Sequence, residues 1–85
     1  MNRLKGMKLL VLGASPDEIT LVKRAQEFGI YVIVTDYNTD RKLSPAKDIA
    51  DEAWDISWSE IDDLEKKWHK KVIKNNKNHY LTVLP

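Results

Sequence analysis

Three short stretches of this sequence hold the residues best placed to do chemistry. Gly13-Ala14-Ser15 follows an apolar run and precedes Pro16-Asp17-Glu18. A glycine turn that opens a helix offers backbone N–H groups at the positive end of the helix dipole, which suits an anion. Asp17 and Glu18 compete for that dipole. A Ser15–Glu18 capping box would also use donors that a phosphate needs, so a plain capped turn is the alternative reading. Asp36 stands 23 residues beyond Gly13. In dinucleotide folds an acid about 20 residues past the glycine loop holds ribose hydroxyls. The glycine fingerprint itself is missing: the turn has one Gly, and Pro16 removes an N–H. NAD is therefore not expected, and capping its own loop is the simpler role for Asp36. The candidate substrate- or phosphate-binding set is Gly13, Ala14, Ser15 and Asp36.

The third stretch is the turn near Ile56-Ser57, where a short strand would end. No other grouping reaches a mechanism. His69 and His79 lie ten residues apart without organised carboxylates, so no metal site is expected. A serine nucleophile needs a neighbouring histidine, and neither His falls in a suitable loop. Asp62-Asp63 suits the first turn of a helix, where acids complement the dipole. Trp68 fits an apolar helix stripe. Trp54 and Trp58 fit either packing under a strand or a surface that meets a partner.

The elements that must position these residues alternate between strand and helix. Met7–Leu12 and Ile30–Thr35 are nearly continuous apolar runs, as expected of strands buried on both faces. Between them Ser15 reads as an N-cap, Pro16 as the first helical residue and Glu18 as the third. Leu21, Ala25 and Phe28 then form an apolar stripe, widened by Ile19 and Val22, and Gly29 takes the left-handed position after the helix. Asp36–Asp40 is a polar loop. Ser44-Pro45 opens a short helix to about Ala50, and 52–56 reads as a third strand. Ser57 and Glu60 suggest a second capping box. Ile61, Leu64, Trp68 and Val72 mark one face of a helix to about Lys74, Asn75–Asn78 break it, and 79–84 reads as a fourth strand. This order implies an α/β fold: a three-layer, Rossmann-like half-sheet of three or four parallel strands with helices on both faces. Such a half-sheet has open edges and incompletely covered faces that invite a partner.

The 85 residues allow one small domain, 1–85, with 75–85 as a divergent or disordered tail. The apolar fraction of 42% fits a folded chain rather than a disordered one. The absence of Cys excludes disulfides, thiolate zinc sites and iron–sulfur clusters and fits a reducing compartment. No run reaches a membrane span and no signal peptide is evident, so no membrane partner and a cytoplasmic location are expected. Residues 1–63 carry 8 basic and 12 acidic side chains, and 64–85 carry 6 Lys and 1 Glu. The basic end has no Arg and little aromatic interleaving, so it reads as a solvated surface and no nucleic-acid partner is expected.

Lys8-Leu-Leu-Val-Leu-Gly-Ala-Ser-Pro-Asp-Glu-Ile19, Ala25-Gln-Glu-Phe-Gly-Ile-Tyr-Val-Ile-Val-Thr-Asp36 and Ser44-Pro-Ala-Lys-Asp-Ile-Ala-Asp-Glu-Ala-Trp54 resemble the N-terminal domain of ATP-grasp proteins. The nearest branch is similar to the large subunit of carbamoyl phosphate synthetase and to carboxylate–amine ligases. The resemblance covers roughly residues 6–65. It implies a Rossmann-like first domain that forms one wall of a substrate cleft through Gly13, Ala14, Ser15 and, less directly, Asp36. The family's reaction activates a carboxylate with ATP and Mg²⁺ to an acyl phosphate that an amine or similar nucleophile attacks. The lobes that hold ATP and Mg²⁺ have no counterpart in this sequence. No catalytic residue carries over, and the chain alone is expected to be inactive.

The end of the sequence departs from the family pattern: Lys74-Asn-Asn-Lys-Asn-His-Tyr-Leu-Thr-Val-Leu-Pro85 replaces a Gly-containing turn and an apolar strand. A variant strand before a genuine stop, a split subunit and a truncated or frameshifted product all fit. The expected partners are ATP-grasp lobes on a separate chain or a second copy. A small nucleotide- or phosphate-binding module and a non-catalytic oligomerising protein are the alternatives.

Overall fold

A computed structural model describes residues 5–40, 42–57, 59–73 and 80–83. The order is β1 (Lys8–Leu12), α1 (Asp17–Glu27), β2 (Tyr31–Thr35), α2 (Ala46–Ile49), β3 (Glu52–Trp54), α3 (Ile61–Ile73) and β4 (Tyr80–Val83). The strands form one sheet in the order β3-β2-β1-β4, every pairing parallel. The chain thus winds outward from β1 through β2 to β3, then returns to place β4 on the other side of β1. This is the first half of a doubly wound sheet.

Side chains alternate across a strand, so each strand feeds two cores. Leu9, Val11, Val32 and Val34 face Val22 and Ala25 of α1 and Ala46 of α2. Leu10, Leu12, Ile33 and Trp54 face Leu64 and Trp68 of α3. With helices on both faces, the continuous apolar runs at β1 and β2 have their physical reason: neither face meets water. The three-layer α/β expectation holds.

The caps differ from the sequence expectation. The Ser15 hydroxyl donates to the Glu18 carboxylate instead of receiving the Glu18 N–H, which binds the Ser15 carbonyl at 3.1 Å. Ser57 pairs with Ser59, through the Ser59 N–H at 3.2 Å and the two hydroxyls at 2.8 Å, so no Ser57–Glu60 box forms. The other end of α1 follows expectation. Gly29 has φ +80°, its N–H binds the Gln26 carbonyl at 2.9 Å, and the Ile30 N–H binds the Ala25 carbonyl at 3.2 Å. That pair of bonds is a Schellman motif.

The α1 stripe is also rotated from the expected one. Glu18, Val22 and Ala25 are buried, whereas Leu21 and Phe28 lie at the exposed margin. The Arg24 guanidinium covers the Phe28 ring at 5.0 Å from its centroid. On α3, Leu64 and Trp68 are buried, and Ile61, the first residue of the helix, is exposed. Asp62 and Asp63 fall in the first turn as expected. Trp58, His79, the 74–79 segment and the side chain of Val72 lie outside the described residues. Among the described residues no helix is long and apolar enough to cross a membrane.

Candidate functional site at the strand ends

In an open parallel sheet the carboxyl ends of the strands deliver successive turns to one side of the molecule, and ligands bind there. Here β1 delivers Gly13, whose φ of +126° only glycine adopts readily. Its N–H binds the Thr35 carbonyl at 2.9 Å, fixing the first turn to the end of β2. The Ala14 carbonyl accepts the Ala46 N–H at 3.2 Å, fixing the same turn to α2. Among the described residues nothing accepts the N–H of Ala14 or Ser15.

β2 delivers Asp36, whose N–H continues the ladder to the Trp54 carbonyl at 3.1 Å. One carboxylate oxygen of Asp36 does all the loop work. It accepts the Ser44 hydroxyl at 2.8 Å, the Asn38 N–H at 3.3 Å and the Asn38 side-chain amide at 3.2 Å. Ser44, fully buried, therefore holds Asp36 rather than capping α2. The other Asp36 oxygen has no donor among the described residues.

The turns meet at a shallow cleft of about 280 Å³ lined by Gly13, Ala14, Ser15, Glu18, Asp36, Tyr37, Asn38 and Leu43. All four residues singled out from the sequence line it. The third stretch, near Ile56-Ser57, does not. Its carbonyl at Ile56 accepts the Thr35 hydroxyl at 2.6 Å, which satisfies a fully buried threonine.

Sequence reasoning missed two residues here. Glu18 lines the cleft and is nine-tenths buried, with one oxygen taken by Ser15 and the other by no described residue. Lys47 lies beneath the rim with its side chain fully buried. Its ammonium donates to the carbonyls of Asp36, at 2.8 Å, and Asn38, and to the Asp55 carboxylate at 2.7 Å. Three donors meet three acceptors, so the cation is satisfied. It joins the turn after β2 to the turn after β3. A lysine in a four-residue helix reads as solvated. No local signal marks it, because its partners are supplied by other segments.

The donor set does not fit a triphosphate. Among the described residues no cationic side chain lines the cleft, and two carboxylates do. Nor do the described residues contain a group of three His, Cys, Asp or Glu able to hold a metal ion. His69 is solvated, its Nε2 3.9 Å from Glu65 on the outer surface of α3. A second depression of about 420 Å³ on that surface is lined by Asp62, Glu65, Lys66, His69 and Lys70, all solvated side chains of one helix. Comparison with protein-family models, with curated proteins and with solved structures finds no match.

Proposed function

We propose that this chain is the substrate-side first domain of an ATP-grasp-type ligase, acting together with ATP-clamping lobes carried elsewhere. One observation carries the reading. Gly13, Ala14, Ser15 and Asp36, the residues to which the family resemblance assigns the wall of a substrate cleft, line a single cleft at the carboxyl ends of a parallel half-sheet.

In the reaction so assigned, ATP phosphorylates a carboxylate, ADP leaves, and an amine or similar nucleophile displaces phosphate from the acyl phosphate. ATP and Mg²⁺ supply the phosphoryl group and its charge neutralisation in the missing lobes. This chain's own residues contribute position only. The Gly13–Ser15 turn is fixed to β2 and α2, and the Asp36 loop is fixed by Ser44 and Lys47. A wall held this way keeps its geometry while a substrate is presented to the clamp.

The test is reconstitution. Sequencing the coding region beyond codon 85 identifies the candidate lobes, and the two polypeptides are assayed separately and together. ADP release that depends on a carboxylate and an amine is expected only from the combination. ADP release by this chain alone, or an adjoining region without ATP-clamping lobes, overturns the proposal.

A further inference from the structure

Beside its polar floor the cleft carries a second kind of surface. Tyr37 and Leu43 line it and are 66% and 63% exposed, two of the largest apolar side chains left in solvent by the described residues. Tyr37 belongs to the Asp36–Asn38 loop that Ser44 and Lys47 hold in place, and Leu43 immediately precedes Ser44. An exposed aromatic ring on a fixed loop, with an aliphatic group beside the same depression, suits a planar ring. In the same cleft the second oxygens of Asp36 and Glu18, which have no donor among the described residues, are placed to accept hydrogen bonds, and the Ala14 and Ser15 N–H groups to donate them. Two carboxylates disfavour an anion and favour hydroxyl donors. The volume of about 280 Å³ is at the lower edge of ligand sites, enough for one small molecule and not for a dinucleotide.

We infer that this cleft binds a ribonucleoside group, with the base against Tyr37 and Leu43 and the ribose hydroxyls on Asp36 and Glu18. The inference rests on the strand-end location used in the functional proposal and deepens it. The substrate presented to the clamp carries a hydroxylated sugar joined to a planar ring, and any phosphate on it points away from the two carboxylates.

The test uses the full ¹⁵N-labelled chain with adenosine, 2′,3′-dideoxyadenosine, inorganic phosphate and ethanolamine as probes. Adenosine is expected to shift the amides of residues 13–15, 17, 18, 36–38 and 43 with a dissociation constant of about 1 mM. The dideoxy analogue is expected to bind about tenfold more weakly. Tyr37→Ala is expected to weaken adenosine about tenfold without moving the thermal midpoint, since the ring is mostly exposed, and Leu43→Ala to weaken it by less. The inference is overturned by no response to adenosine, by shifts clustered elsewhere, by equal binding of the dideoxy analogue, or by a response to phosphate or ethanolamine alone. Because binding is read on this chain alone, the outcome is independent of whether the ATP-clamping lobes exist.

Discussion

Lys47 is the residue on which the shape of the strand-end surface depends. A buried ammonium is costly to desolvate, and here that cost is offset by two carbonyls and a carboxylate from two different turns. Asp55 is half-exposed, so water screens its share of the interaction. Lys47→Met keeps a buried stem of similar length but leaves both carbonyls without their donor. The expected destabilisation is about 2 kcal/mol, a fall of roughly 8–16 °C in the thermal midpoint of a domain this size. Calorimetry against the parent chain measures it. Amide exchange at residues 36–38 should accelerate more than in the core of β1. A midpoint unchanged within 2 °C would show that the ammonium contributes little beyond its stem.

At the scale of elements, the strand and helix order was legible because it rests on local chemistry. Continuous apolar runs gave β1 and β2, Pro16 and Pro45 opened helices, and Gly29 closed one. The cleft was legible for a related reason: strand ends in a parallel sheet fall on one side, so Gly13–Ser15 and Asp36 had to be neighbours. What was not legible depends on partners distant in sequence. Ser44 serves Asp36 instead of a helix N-terminus, and Lys47 is buried by oxygens from other segments. The rotation of the α1 stripe belongs here too. Leu21, Ala25 and Phe28 satisfy helical spacing, but so do Glu18, Val22 and Ala25, and spacing alone cannot choose between two stripes that are offset by three positions and share Ala25. Contact with Val32 and Val34 decides it. Val22 is completely buried and Leu21 is at the margin. Val22→Ala should therefore cost about 2 kcal/mol, while Leu21→Ala, which removes a larger side chain, should cost under about 1 kcal/mol. Urea denaturation of the two variants measures the order, and the reverse order would restore the stripe expected from spacing alone.

Across the whole molecule the two faces of the sheet are unequally supported. One face is covered by α1 and α2, and its core includes Leu9, Val11, Val22, Val32 and Val34. Among the described residues the other face is covered by α3 alone, through Leu64 and Trp68 against Leu10, Leu12, Ile33 and Trp54. Glu52 ties this side together, accepting the Tyr31 hydroxyl at 2.8 Å and the Trp54 indole N–H at 2.6 Å. The Lys67 ammonium lies over the Trp54 ring at 5.2 Å. α3 is also the crossover that carries the chain from β3 at one edge to β4 at the other, so its docking and the placement of β4 are one event. A domain of this size is stable by about 4–13 kcal/mol in all. Truncating a buried Trp to Ala costs about 3–5 kcal/mol. Trp68→Ala should therefore release α3 and β4 together while β1, β2 and α1 keep their contacts. The expected signs are near-complete loss of near-ultraviolet circular dichroism, binding of a hydrophobic dye, and far-ultraviolet signal reduced only by the share of α3 and β4. Trp68→Phe, which refills most of the volume, should retain the native spectrum with a lower midpoint. If Trp68→Ala instead unfolds both faces in one transition, the half-sheet is a single cooperative unit and its thinner face is no separate point of failure.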